Sequence, residues 1–270
     1  MKFTDIIHYF YRNLISIKYR VCLSFFIMYI SVIYLAKKYI DSLPPNIEIS
    51  VFDMLCDVYK GLGMVGISRY VFPIIPLFAF TLISMIDFDN KTLWLIRYNS
   101  RRNIWNKQFV FTLSISFLYS IVIILGGYLV SGILIGSFNN NWTNTNGIVY
   151  KLLGEPANWH EISNDFISYK ILFFIFTSNF LGLCATGLLI CVVKMLLKNH
   201  YVFILLVISL FSSALLNKFS ITLKQMTINL VNWMNPITII ENDIYLIFLI
   251  LMLYVIGDWI IGKKDIIGKI

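Results

Sequence analysis

Six stretches of this chain run almost free of charge for the length needed to cross a lipid bilayer, and this limits its fold more than any other feature. A helix needs about 20 largely apolar residues to pass the hydrocarbon core. The candidate spans are residues 21–36, 70–86, 109–135, 171–193, 201–217 and 244–261, flanked by charged side chains such as Arg20 and Lys37, or Lys170 and Lys194. Asp258 is the one charged residue inside them. They are apolar on every face, whereas a surface helix of a soluble protein is apolar along one stripe. Of the 270 residues, 59% are hydrophobic and 13% charged, against roughly 25% charged in a soluble domain. The expected fold class is an all-α integral membrane protein, with residues 1–270 forming a single transmembrane domain.

Lys and Arg set the expected orientation, because they accumulate on cytoplasmic loops. With the N-terminus inside, fourteen of them fall on the cytoplasmic face and eight outside, while nine of the acids fall outside and four inside. Both termini are therefore expected in the cytoplasm. The net charge of +8 becomes a property of the inner face, matched to anionic membrane lipid, with no nucleic acid needed to explain it. No cleavable signal is expected: Lys2, Arg12, Lys18 and Arg20 are interleaved with aromatics, and no small-residue cleavage site follows the first apolar run.

The segments between the spans carry their own patterns. Phe3, Ile6, Ile7, Phe10, Leu14 and Ile17 recur at helical spacing, which predicts a basic amphipathic helix in the headgroup plane over residues 1–20. In the first outer loop, residues 49–62 read as a short interfacial helix, with Phe52 and Cys56 on one face and Asp53, Asp57 and Lys60 on others. Pro73 and Pro76 should kink the second span near its outer end. The second outer loop holds a polar run at 139–144, with Trp142 and Trp159 expected at headgroup level. Its Asn141-Trp142-Thr143 sequon is a common chance pattern and carries little weight. Residues 218–243 are too apolar for a solvated loop, so a re-entrant or interfacial segment is expected there, turning back at Asn235-Pro236. Between spans two and three, Asp89 or Asn90 can cap a short helix that continues through Leu93, Trp94, Ile96 and Arg97. Arg and Trp are residue types that anchor protein interfaces. The same stretch also fits a plain basic loop with interfacial tryptophans.

Catalytic patterns are missing from the sequence. It has no His-Glu-x-x-His, no nucleophile elbow and no Walker A motif. Cys22, Cys56, Cys184 and Cys191 have no metal-ligand spacing and read as small apolar residues. Glu155, Glu161 and Asp165 read as solvated outer carboxylates. Asp258 is a possible intramembrane polar site, although Lys263 and Lys264 lie about one turn away, so a local ion pair or a polar end facing the bundle is expected.

This layout resembles the type-2 export permeases of ATP-binding-cassette transporters. Residues 1–20, 91–102 and 218–236 occupy the places of that family's elbow helix, coupling helix and re-entrant helices. The run Leu95-Ile96-Arg97-Tyr98-Asn99-Ser100-Arg101-Arg102-Asn103-Ile104-Trp105 is similar to the corresponding loop of small Gram-positive permeases, and Asn235-Pro236-Ile237 to an element before the final helix. The third span and its outer loop are longer than in minimal members. The resemblance implies a subunit with no ATPase site of its own, located in the cell membrane of a Gram-positive bacterium. A separate ATPase subunit dimer, which binds the ATP and magnesium, would dock on Lys91, Thr92, Leu93, Trp94, Leu95, Ile96, Arg97 and Tyr98. It also implies a second permease chain, identical or related, and an amphipathic peptide or lipid-like substrate. Two other classes stay open: a membrane immunity or accessory protein that acts by binding, and an intramembrane enzyme using His160, Glu155, Glu161 or Asp258.

Overall fold

The computed structural model describes residues 37–42, 47–56, 66–91, 101–197, 222–228 and 235–263, with single positions between 15 and 34, at 201, 202 and 208, and at 233. The elements are α1 (Val51–Leu55), α2 (Ile75–Lys91), α3 (Arg101–Ile135), α4 (Ile148–Leu152), α5 (Trp159–Ser163), α6 (Ser168–Leu196), α7 (Leu223–Met226) and α8 (Pro236–Lys263). Four helices, built on α2, α3, α6 and α8, are long and apolar enough to cross a membrane. Among the described residues there is no strand; one isolated bridge joins Glu48 to Gly147. This is a helical membrane protein. The first expected span, 21–36, and the fifth, 201–217, fall partly or mostly outside the described residues, as do most of the elbow segment and residues 92–100.

The helices run farther than the apolar stretches that announced them. α3 starts at Arg101 and α8 at Pro236, each about two turns before its uncharged core. Charge marks where the hydrocarbon ends; it does not stop a helix, whose backbone bonds continue into the headgroup layer. Pro236 sits at the first position of α8, where a missing N–H costs nothing. In the second span, Tyr70–Ile74 form a π-helical turn that contains Pro73. Proline removes a backbone donor, and a wider turn is one way to absorb the gap.

α6 is the central helix. It packs against α2, α3, α7 and α8, and every residue from Gly182 to Leu188 is buried. Small side chains make this possible, as in membrane bundles generally. A Cβ on Gly187 would stand 2.6 Å from Thr112 Cγ2, and one on Gly182 would stand 2.3 Å from Met226 Cβ. The second notch explains the course of α7. Met226 sits against Gly182, and Thr186 Oγ1 donates to Thr222 Oγ1 at 3.0 Å. Residues 222–226 thus lie level with the middle of α6 rather than beyond its end. α8 is the least enclosed of the four, and Ile244, Phe248, Leu251 and Val255 are exposed along it, as a lipid-facing surface requires.

The described positions between 15 and 42 are all helical. They climb beside α3 in the same direction: Phe25 lies 4.8 Å from Tyr119, ring to ring, and Tyr29 donates to Val122 O at 2.6 Å. Farther along, Ile40 and Ile135 share a cluster with Tyr39 and Met54.

Candidate functional site at the basic end of the bundle

Two ends of the bundle have different chemistry. At the basic end, α2 finishes at Lys91 and α3 begins at Arg101, so residues 92–100 connect them there. The proposed contact residues Thr92, Leu93, Trp94, Leu95, Ile96, Arg97 and Tyr98 lie outside the described residues, and of Lys91 only the backbone is described. What the fold does define is how the two flanking helices are held.

α2 is held by Asp87, which forms an ion pair with Lys194 of α6. The Lys194 ammonium also donates to Ile83 O at 3.1 Å, and its side chain is only 6% exposed. α3 is held by Arg102, whose guanidinium grips Asp258 of α8 through both carboxylate oxygens: Nε to Oδ1 at 2.8 Å and Nη2 to Oδ2 at 2.7 Å. This fork geometry gives direction as well as energy. Three residues on, Trp105 is fully buried; its indole N–H donates to Tyr254 O at 3.0 Å, and the Tyr254 hydroxyl donates to Asn106 Oδ1 at 2.8 Å. The ring fits because position 257 is glycine: a Cβ there would stand 2.2 Å from Trp105 Cζ2.

Asp258 therefore finds its partner across the bundle. Of the two expectations for Asp258, a local pair with Lys263 or Lys264 and a polar end facing the bundle, the contact with Arg102, 156 residues away, fits the second; the Lys263 ammonium lies 4.1 Å from the centre of the Trp259 ring, and Lys264 lies outside the described residues. On the helix, Asp258 and Trp259 point in different directions, and the lysine stem follows the exposed aromatic surface. Sequence reasoning placed Arg102, Asp87 and Lys194 on one face of the membrane but had no signal for which would meet.

The opposite end carries a cap built from the two expected outer loops. Ser50 and Asp53 form a capping box on α1, with Asp53 Oδ2 accepting from Ser50 N at 2.7 Å. Ser50 was not singled out in the sequence, although a Ser three residues before an acid is a pattern that opens helices. What could not be read was the burial. Of the helix expected over 49–62, α1 covers Val51–Leu55, and all five of its residues are buried in the cap instead of facing headgroups; residues 57–62 lie outside the described residues. Cys56, expected on the same helix face as Phe52, is the residue that ends the helix and is buried. Asp53, expected on another helix face than Phe52 and Cys56, is 0% exposed and accepts the indole N–H of Trp142. Trp142, expected at headgroup level, is also fully buried, packed by Phe52, Phe166 and Trp233, and Trp159 is buried as well, donating to Thr143 O at 3.0 Å. The sequon residue Asn141 spends its amide on Ile49 O at 3.0 Å. Glu155 and His160 line an open cleft of about 550 Å³ in this cap, together with Glu48, Tyr150 and Trp159. No group of three His, Cys, Asp or Glu able to hold a metal ion occurs among the described residues.

Burial pushes the Asp53 carboxyl up to about 7, against the opposing pull of its hydrogen bonds from Ser50 and Trp142. A raised carboxyl means the folded chain holds a proton that the unfolded chain releases near pH 4, so stability falls as pH rises between those values. We expect the melting temperature of the wild type, minus that of Asp53→Asn, to be highest near pH 4, to decline up to about pH 7 and then to level off. A difference that rises over this range would show that the carboxylate is stabilised by the cap.

Compared with the known protein families, with characterised proteins and with solved structures, the chain matches none.

Proposed function

We propose that this chain is the membrane-spanning subunit of an ATP-driven exporter of the ATP-binding-cassette type. Its partners are a separate ATPase dimer, docked on residues 91–102 and supplying ATP and magnesium, and a second permease chain. Its place is the cell membrane of a Gram-positive bacterium, with both termini cytoplasmic, six spans, an elbow helix at 1–20 and a coupling helix between spans two and three. The substrate class is an amphipathic peptide or lipid-like molecule.

The observation that carries this reading is the pair of clamps. The two helices that flank residues 92–100 are tied to two different neighbours, α2 to α6 through Asp87–Lys194 and α3 to α8 through Arg102–Asp258. A load applied to the loop would therefore reach α6 and α8 through two separate contacts. That is what a switch between two packings of the spans requires, since coupling travels through elements with discrete arrangements. The α7 segment at the level of the middle of α6 adds support, because short helical pieces at membrane depth survive where they line or fill a protein interior.

Trp94→Ala and Arg97→Ala test the reading. Truncating a buried interfacial Trp or Arg costs about 2 kcal/mol or more. We therefore expect the ATPase to dissociate from the purified complex, or to hydrolyse ATP without transport, in both variants. Co-purification and transport at wild-type levels in both would refute the docking role. If no ATPase co-purifies with the wild type either, a binding protein without transport is the better description.

A further inference from the structure

A groove of about 570 Å³ opens at the cap end between the first turns of α6 and the start of α8, lined by Asp165, Tyr169, Lys170, Phe173, Phe174 and Trp233. It lies where membrane-crossing helices emerge. Tyr169 and Phe173 are 66% and 62% exposed there, forming an aromatic belt of the kind found at headgroup level. With α6 and α8 spanning a bilayer, the groove would open toward lipid at headgroup level.

Three features of its wall specify an occupant. The floor is aromatic, with Phe174 and Trp233 edge to face at 6.1 Å. This surface suits an acyl chain and has no use for a polar ligand. At the rim, the Lys170 ammonium and the Asp165 carboxylate stand 3.4 Å apart, with side chains 39% and 56% exposed, a loose surface pair that contributes little by itself and can open without disturbing the core. Trp233, which lines the groove, has an indole N–H that is buried and without a hydrogen-bond partner among the described residues, so a small tilt of the ring would be needed to present it to an occupant. A buried donor left unpaired costs about 1–3 kcal/mol, and an ester carbonyl would satisfy it.

We infer that this groove binds one zwitterionic amino-phospholipid: phosphate against Lys170, ammonium against Asp165, ester carbonyl to Trp233 and an acyl chain over Phe173 and Phe174. The paired charges select this headgroup over an anionic one, which would meet Asp165 with repulsion. The inference does not depend on the transport proposal, since a lipid seat of this kind would serve any membrane protein of this shape.

The test uses the full chain purified in detergent, mixed with equal amounts of dioleoyl phosphatidylethanolamine and dioleoyl phosphatidylglycerol, with retained lipid counted by native mass spectrometry. One phosphatidylethanolamine should be held per chain, in about tenfold preference over the glycerol lipid. Asp165→Asn should abolish the preference, and Lys170→Gln should lower total retention severalfold; both positions are surface-exposed, so neither variant endangers folding. Trp233→Phe keeps the ring, drops the N–H and should also weaken retention. Equal retention of the two lipids by the wild type, a preference for the glycerol lipid, or unchanged retention in all three variants would overturn the assignment.

Discussion

Trp142→Ala should take the cap apart. Its ring is fully buried and touches Phe52, Phe166 and Trp233, which come from three separate stretches of chain. Removing a buried Trp side chain costs about 3–5 kcal/mol through lost contacts and the cavity left behind. The Asp53 carboxyl loses its indole donor at the same time, and an orphaned buried acceptor adds about 1–3 kcal/mol. In detergent, the melting temperature should fall by on the order of 10 °C. Trp142→Phe keeps an aromatic ring and should cost less than Trp142→Ala, losing the hydrogen bond and the smaller cavity left by the missing five-membered ring. If Trp142→Ala melts within about 2 °C of the wild type, which is less than 1 kcal/mol for a chain this long, the cap is not the cooperative unit that its packing describes.

Asp87→Asn should cost about 1–3 kcal/mol, because it takes the counter-charge from the Lys194 ammonium, whose side chain is 6% exposed; Asp87 itself is 34% exposed, so only part of the cost of breaking a fully buried pair applies. The neighbouring Ile83 carbonyl, 3.1 Å from the ammonium, offers a dipole and cannot replace a full charge. The double variant Asp87→Asn with Lys194→Met removes the stranded cation and should recover most of the loss, since a buried pair exchanged for apolar side chains is often close to neutral. Thermal unfolding of the two variants side by side gives the answer: a double variant no more stable than Asp87→Asn would mean that packing around the lysine stem, and not its charge, holds α2 to α6. By contrast, Arg102 is 74% exposed, so its bond to Asp258 is expected to matter more for geometry than for stability.

How much of this was legible in the sequence differs from one feature to the next. The spans at 70–86, 109–135, 171–193 and 244–261 all became long apolar helices, because twenty uncharged residues in a row leave the backbone few other ways to satisfy its own N–H and C=O groups. The break at Pro73 and the start of α8 at Pro236 were legible too, being local consequences of a residue with no N–H. A short helix within 49–62 was also expected, and α1 lies there, but its capping box at Ser50 and Asp53 was not picked out. Its environment could not be read: α1 is five buried residues in the cap, and an acid expected off the apolar face of its helix sits against a tryptophan expected at headgroup level.

The amino-acid order thus decided by itself that the chain makes apolar membrane-crossing helices, roughly where they lie, and that basic residues gather at one end of them. These are one-dimensional properties, set by hydropathy over a window and by backbone chemistry within a turn. Only the tertiary structure decided that Arg102 meets Asp258, that Lys194 meets Asp87, that Gly257 admits Trp105 and Gly182 admits Met226, and that the outer loops close into a cap around Trp142. Each of these joins residues far apart in the chain, and each depends on the rotation of one helix about its own axis. In a helix apolar on all sides no stripe betrays that rotation; it is fixed by where small residues let neighbours approach and where the few polar side chains find partners.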